Sequence, residues 1–204
     1  KRKPSFGENL TFFVRYQLGH MYFRYFMWNF AGRQNDIQGH GEIHKGNWLS
    51  GVNFIDEWRL GPQDNLPESM KSNKAYNRLY FLPFILGLIG FFFHYSRKRN
   101  DFWVITLLFF FTGIAIVLYL NQYPYQPRER DYAYAGSFYA YSIWIGLGML
   151  GLYEGMRKKL NAPISALTSI AVTGILVPGI MASENWDDYY RANRYIARDF
   201  AHNY

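Results

Sequence analysis

The strongest constraint on this chain is residues 102–120, FWVITLLFFFTGIAIVLYL, which contain no charged side chain. A membrane-crossing helix needs about 20 predominantly apolar residues, so this run alone predicts a transmembrane helix. Three more runs with almost no charge lie at residues 79–95, 136–153 and 162–182. Together the four runs predict an all-α integral membrane protein with about four transmembrane helices, spread over residues 79–182.

A soluble helical core is the alternative interpretation, because the mean hydropathy of −0.21 is ordinary for a soluble protein. That average, however, mixes strongly polar ends with strongly apolar middle segments. Pro83 and Pro178 lie in two of the runs, and membrane helices tolerate such breaks when neighbouring groups satisfy the freed backbone. The Gly, Ser, Ala and Thr content of the last two runs favours close packing of helices in lipid.

Two short basic links predict the orientation. Residues 97–99 and 157–159 each carry three Lys or Arg side chains, and such links stay in the cytoplasm. Residues 1–78, 121–135 and 183–204 would then face the periplasm of a bacterium, if the inner membrane holds the chain. The links account for much of the net charge of +7, so we expect membrane lipid as a partner and no nucleic acid.

Residues 9–31 are long enough to span a membrane but include four polar or basic side chains, Arg15, Gln17, His20 and Arg24. Gln17, His20 and Arg24 share one face of a helix. This pattern predicts an amphipathic helix in the outer membrane interface, where Arg15 and Arg24 could meet lipid phosphates. A fifth span is the alternative.

A polar, glycine-rich loop follows at residues 32–48. His40, Glu42 and His44 alternate within it, so an extended strand would point all three the same way as a candidate metal half-site. A solvated loop has the same composition, and we therefore expect no metal.

Three more residues of this loop, Arg33, Asn35 and Asp36, form a group of the kind that holds sugars or phosphates. An Asn-Asp pair is equally a common turn. Residues 49–78 carry several turn signals and are expected to form an ordered linker outside the membrane.

The connection at residues 121–135 is unusually charged, with Arg128, Glu129, Arg130 and Asp131 in succession. The predicted topology places it on the side where positive charge is not favoured. Two interpretations are open: the arginines serve a partner, or the four charges neutralise one another as a surface ion-pair cluster. Tyr132, Tyr134 and Tyr139 come next and are also typical of an aromatic belt at a membrane surface.

Arg191, Arg194 and Arg198 make a basic stripe near the end of the sequence, on a helix predicted to leave the membrane or on a merely solvated face. The sequence starts without Met and stops without a helix cap, which predicts a piece of a longer membrane protein. It has no Cys, no phosphate-binding glycine loop, no paired zinc motif and no nucleophile elbow.

Four stretches carry a resemblance: YFRYFMWNFAGRQNDIQGHGE at 22–42, FIDEWRLGPQ at 54–63, YLNQYPYQPRERDYAYAGSFYAYSIWIGLG at 119–148 and ENWDDYYRANRYIARDFAHNY at 184–204. They resemble a bacterial multi-span membrane family of unknown function that is related to protein O-mannosyltransferases of the GT-C class. The resemblance covers nearly the whole chain.

The resemblance implies an inner-membrane glycosyltransferase that moves a sugar, for example mannose, from a polyprenyl-phosphate carrier to a protein hydroxyl outside the cytoplasm. It implies that this chain is the later membrane portion, with further spans before it and a soluble domain after it. In GT-C enzymes the catalytic carboxylate usually lies in the first external loop, which such a piece would lack. Glu129 and Asp131 are only fallback bases, and no cofactor beyond the lipid-linked donor is expected.

The same resemblance gives the charged connection a function. Negative charge develops on the departing phosphate, and a fixed cation stabilises it in the transition state. Arg128 and Arg130 would take that role, with Tyr132 and Tyr134 offering ring surface to sugar or isoprenoid. A non-catalytic scaffold of an envelope complex is the alternative, whereas a transporter is disfavoured because the spans hold almost no ionisable residues.

Overall fold

A computed structural model describes residues 2–63, 65–186 and 195–203. Within these ranges the protein is a helical bundle with one small antiparallel ribbon. Arg191 and Arg194 of the predicted basic stripe lie outside the described residues. Of the predicted final segment, the structure describes α11, Ile196–His202.

The chain begins with one continuous helical segment. It comprises α1, Phe6–Phe12, then widened π-helical turns over Phe13–Phe23, then α2, Arg24–Phe30. Ser5 caps its start: the Ser5 hydroxyl accepts a hydrogen bond from the Glu8 amide, and the Glu8 carboxylate accepts one from the Ser5 amide. This reciprocal pair satisfies two backbone donors that the first turn would otherwise leave open.

Three helical stretches in the described residues are long and apolar enough to cross a membrane: Arg99–Leu120, Asp131–Arg157 and Ala162–Asn185. The first consists of α6, Arg99–Thr112, and α7, Ile114–Leu120, separated at Gly113. The second is a 3-10 helix, Asp131–Tyr134, continued by α8, Ala135–Arg157. The third joins α9, Ala162–Ile170, through π-helical turns at Ala171–Leu176 to α10, Val177–Asn185. These helices support a membrane protein, as predicted.

The span predicted at residues 79–95 differs from the expectation. α5, Leu82–Arg97, has 16 residues and at 1.5 Å per residue is about 24 Å long, less than a full hydrocarbon core. It starts three residues later than predicted because Tyr80 and Phe81 adopt left-handed backbone conformations and Pro83 occupies its first turn. The described part of the chain thus has three helices of spanning length and one shorter apolar helix.

Small residues bring α5 and α8 into very close contact. A Cβ atom built on Gly90 would lie 1.8 Å from the Trp144 carbonyl oxygen, and one on Gly148 would lie 2.2 Å from the Leu86 carbonyl oxygen. No side chain larger than hydrogen fits either position without moving backbone. Small residues at helix crossings have this role in membrane proteins.

The second half of the first helix packs inside the bundle and is not confined to a surface. Phe26 and Phe30 contact Tyr141 of α8, and Tyr22 contacts Phe138. All of α2 except Asn29 is buried. The predicted position in the outer membrane interface therefore does not fit α2, because other parts of the bundle cover it on several sides.

Both basic links lie at one end of the bundle, as predicted; Arg97, Arg157 and Lys158 line one hollow there. At the opposite end, which we call the loop end, lie the connection at 121–134 and the polar region at 31–81. That region contains β1, Gly32–Arg33, α3, Asn53–Leu60, α4, Glu68–Lys71, and β2, Asn77–Arg78.

The β1–β2 ribbon holds the loop end together. Gly32 pairs with Arg78, and Arg33 pairs with Asn77. Gly32 has a φ of 128°, and a Cβ there would lie 2.5 Å from the carbonyl oxygens of both Leu49 and Asn77, so only glycine fits. The end of α10 joins the ribbon, since Glu184 accepts a hydrogen bond from the Arg78 amide at 2.8 Å.

Candidate functional site

The centre of the loop end is an ion pair between Arg24 of α2 and Glu129 of the charged connection. An Arg24 Nη2 to Glu129 Oε2 distance of 2.8 Å is accompanied by a second contact of 3.3 Å from Nη1 to Oε1. The two side chains are 5% and 16% exposed, so the pair is removed from water. Arg24 also donates to the carbonyl oxygens of Gly46 and His20, at 2.6 and 3.0 Å.

Glu129 has further partners. The Tyr25 hydroxyl donates a short hydrogen bond to it, and the Gly39 amide donates another at 3.2 Å. Burial alone would raise the pKa of Glu129, but the hydrogen bonds and charge of Arg24, with the Tyr25 and Gly39 donors, lower that pKa below its usual value. A carboxylate so fully engaged joins three segments of the chain and is poorly suited to accept a substrate proton.

The polar face predicted for the first helix is real, but it meets protein and not lipid. Gln17 donates to Asn121 Oδ1 at 2.9 Å and to the Gln122 carbonyl oxygen at 3.1 Å. His20 lies 3.1 Å from the Gly39 carbonyl oxygen. Arg24 is buried in its pair with Glu129, which excludes the predicted contact with lipid phosphates, whereas Arg15 is exposed.

The four charges of the connection do not form one cluster. Arg128 is exposed and lies over the Tyr132 ring, 5.7 Å from its centre. Arg130 is half-buried; its backbone amide donates to the Tyr25 hydroxyl at 3.3 Å, and its Nε has no hydrogen-bond partner in the described part of the chain. The interpretation as a self-neutralising cluster is therefore wrong, because Glu129 pairs with Arg24 and not with its neighbours. That Arg128 and Arg130 serve a partner stays a prediction.

The tyrosines after the connection differ in exposure. Tyr134 is 0% exposed in the core against Tyr22 and so cannot offer its ring to a sugar or isoprenoid. Tyr132 and Tyr139 are exposed at 59% and 69%. Tyr132 is partly covered by Arg128, which leaves Tyr139 as an exposed ring on α8.

The predicted metal half-site does not assemble. Glu42 accepts a hydrogen bond from the His40 amide, and the His40 ring lies against Tyr125. In the described ranges, no group of three His, Cys, Asp or Glu side chains is arranged to hold a metal ion. His44 is exposed, and its carbonyl oxygen accepts from the Asn35 amide group at 3.1 Å.

Asn35 and Asp36 also have structural roles. Asn35 is 0% exposed, and its side-chain oxygen accepts hydrogen bonds from the amides of Ile37 and Gly46, at 3.2 and 2.8 Å. Asp36 accepts from Asn73 at 2.9 Å on the surface. The turn interpretation holds for Asn35, because its polar atoms fold the 32–48 loop and none is left for a ligand.

Arg33 is the member of that group with free bonding capacity. Its guanidinium lies over the Trp28 ring, 3.9 Å from the ring centre, and its Nε donates to the Asn35 carbonyl oxygen at 3.0 Å. Its two terminal nitrogens make no hydrogen bond to any residue the structure describes. Burial lowers the pKa of Arg33, while the carboxylates of Asp131, Asp36 and Glu129 oppose that effect.

Arg33 faces a cavity of about 410 Å³, which we call the Arg33 cavity. Its lining consists of Trp28, Asn29, Arg33, Asn77, Leu79, Asp131, Met181, Ala182 and Asn185. The volume is within the range of small-molecule sites. Met181 and Ala182 belong to the last apolar helix, so the cavity lies where that helix reaches the loop end.

The lining offers both donors and acceptors. The Trp28 indole N–H is buried without a partner in the described chain, and the Arg33 nitrogens add further donors. Asp131 supplies a carboxylate, and the Asn77 amide group is held by Asn185 at 2.8 Å. Such a site can bind an anionic oxygen group beside hydroxyl groups.

Arg33 and Asp131 were both predicted as site residues, but in different motifs, because almost a hundred positions separate them in the sequence. It missed Trp28, Asn29, Asn77 and Asn185. No local pattern marks these residues, because the ribbon and the last helix bring them together only in three dimensions.

Fold and site define a helical protein with helices long and apolar enough to cross a membrane and with a folded polar region at one end. No family model, no curated protein and no solved structure matches this chain.

Proposed function

We propose that this chain is the donor-binding membrane portion of a glycosyltransferase, and that the Arg33 cavity holds the phosphate and sugar of a polyprenyl-phosphate donor. The observation that carries the proposal is the Arg33 guanidinium, stacked on Trp28 and without a bonding partner for its terminal nitrogens in the described chain. A cation held in this way needs no reorganisation when phosphate charge develops.

The surroundings of Arg33 support a lipid-linked ligand. The cavity meets the last apolar helix at Met181 and Ala182, so a polyprenyl tail could leave along lipid while its phosphate reaches Arg33. Asp131 and Asn29 are placed to bond sugar hydroxyls. The resemblance to protein O-mannosyltransferases adds mannose as one sugar, a protein hydroxyl as acceptor, and the periplasmic side of a bacterial inner membrane.

In the proposed reaction the acceptor oxygen attacks the anomeric carbon of the sugar. The bond from that carbon to the phosphate oxygen breaks, and its electron pair leaves with the phosphate, where Arg33 stabilises the charge. The acceptor proton passes to a carboxylate that the resemblance places outside this chain. Glu129 does not serve as that base, because Arg24, Tyr25 and Gly39 occupy it.

The role first expected of Arg128 and Arg130 is therefore transferred to Arg33, since neither of them lines the cavity. Arg128 lies over Tyr132 and does not line the cavity. This difference supplies a matched pair of arginine variants at the same end of the molecule.

The test is transfer of radiolabelled sugar from polyprenyl-phosphate donors, using membranes that contain the natural full-length protein carrying this chain. We expect Arg33→Met to lower the transfer rate about a hundredfold or more, the usual loss when one transition-state donor is removed. Arg128→Ala at matched expression should remain within a factor of three of the native rate, as a rough expectation for an exposed residue. Absence of transfer from a panel of lipid donors, or equal loss in both variants, would refute the proposal.

A further inference from the structure

A second cavity, of about 370 Å³, lies on the other side of the ribbon. We call it the Gln63 cavity. The strand β2 is the wall between the two cavities: Asn77 lines the Arg33 cavity and the next residue, Arg78, lines the Gln63 cavity. Successive side chains of a strand point to opposite sides, which explains this division.

Two buried polar atoms in the lining of the Gln63 cavity have no hydrogen-bond partner among the residues that the structure describes. Gln63 is 8% exposed; its Nε2 donates to the Gly61 carbonyl oxygen at 2.6 Å, and its Oε1 is unpaired in the described residues. The Nε of Arg78 is buried and likewise unpaired. Buried polar groups normally have partners, so these two atoms are available for hydrogen bonds to a ligand in the cavity.

One further polar side chain of the lining, Asp56, is already engaged in hydrogen bonds. Asp56, 1% exposed, accepts hydrogen bonds from the Ser50 amide and hydroxyl at 2.9 and 3.0 Å and from the Gly51 amide at 2.7 Å. Its carboxylate is thereby committed to the start of α3. Tyr76 is half-buried and adds an aromatic ring to the lining. The centre of this ring lies 5.5 Å from Cζ of Arg78.

The unpaired atoms restrict the chemistry of the ligand. Gln63 Oε1 needs a donor, whereas Arg78 Nε needs an acceptor. A bare anion supplies acceptors only and leaves Gln63 unpaired; an ammonium group supplies donors only. Hydroxyl groups supply both, and a sugar presents adjacent hydroxyls next to a C–H face that packs on an aromatic ring.

We propose that the Gln63 cavity is a carbohydrate-binding site, separate from the Arg33 cavity. It does not depend on the proposed transfer reaction, because it requires only reversible binding of a neutral sugar. If the Gln63 cavity binds no sugar, the proposed transfer reaction is unaffected. If the transfer reaction is refuted, the sugar-binding proposal is likewise unaffected.

The binding test uses purified protein in nanodiscs and saturation-transfer difference NMR with the methyl glycosides of mannose, glucose and galactose. We expect at least one glycoside to bind, and Gln63→Leu to weaken its binding about fivefold or more through loss of one hydrogen bond. Gln126→Leu is the matched control. Gln126 is also buried, donates to the Tyr123 carbonyl oxygen at 2.8 Å and has an Oε1 without a partner in the described ranges, but it lines neither cavity.

A second experiment needs only native protein and so does not depend on how the variants fold. A glycoside that carries a diazirine group is irradiated with the protein, and labelled peptides are mapped by mass spectrometry. Labelling concentrated in residues 49–78 supports the proposal. No glycoside binding, labelling elsewhere, equal loss in both glutamine variants, or binding of sulfate without binding of any glycoside would overturn it.

Discussion

Replacing Glu129 by glutamine should destabilise the loop end, because it removes the negative partner of a buried arginine. Arg24 and Glu129 are 5% and 16% exposed, and a bidentate contact joins them. Water cannot enter freely to solvate the charge that is left. The substitution keeps the size of the side chain, so the effect reports charge and hydrogen bonding and not packing.

The expected loss of stability depends on the hydrogen bonds that Arg24 keeps in the variant. Removing one partner of a buried ion pair typically costs about 3–5 kcal/mol. Arg24 keeps its hydrogen bonds to the carbonyl oxygens of Gly46 and His20, which favours the lower end of that range. About 3 kcal/mol corresponds to a fall in Tm of about 6–12 °C in a chain of this length.

The assay is thermal unfolding of purified protein in nanodiscs, followed by tryptophan fluorescence. Glu154→Gln is the matched control: Glu154 pairs with Arg97 at the basic end, where the two side chains are 41% and 58% exposed. An exposed pair is worth less than about 1 kcal/mol, so the control should hardly change Tm. Equal Tm values for the two variants would show that the Arg24–Glu129 pair does not hold the loop end together.

Two other perturbations test the packing and the electrostatics. Gly90→Ala should destabilise the bundle by about 3 kcal/mol, since the added carbon meets the Trp144 backbone, while Gly146→Ala, with open space around it, should be neutral in the same unfolding assay. Because the pKa of Glu129 is below its usual value of 4.5 in the folded protein, its stabilising contribution is present above that pH and is lost as the pH falls below it. Tm measured from pH 6 to about pH 3 should therefore fall more in native protein than in Glu129→Gln; parallel curves would contradict this assignment.

Helical membrane architecture was accessible from sequence because long apolar runs have few other uses. Three of the four predicted runs lie in helices of spanning length. The helix predicted at residues 79–95 was too long at its start, because Tyr80 and Phe81 have left-handed backbone conformations and are not helical. Hydropathy cannot detect this, because both residues are as apolar as a helix in lipid requires.

Only part of the polar site could be predicted from the sequence. A helical wheel grouped Gln17, His20 and Arg24 correctly, but periodicity does not say whether a polar face meets lipid, water or protein. Glu129 lies 105 positions after Arg24, so their pairing depends on the path of the whole chain. Arg33 was recognised as a polar loop residue, but its place in a cavity depends on β2 and α10.

The most direct test of the account is binding of farnesyl phosphate, a short polyprenyl phosphate, to purified protein in nanodiscs. We expect saturable binding. Arg33→Met should weaken it about tenfold or more, the value of a hydrogen bond to a charged group, and Arg128→Ala should leave it unchanged. Equal affinity for native protein and Arg33→Met, or a loss confined to Arg128→Ala, would contradict the assignment of the Arg33 cavity as the phosphate site.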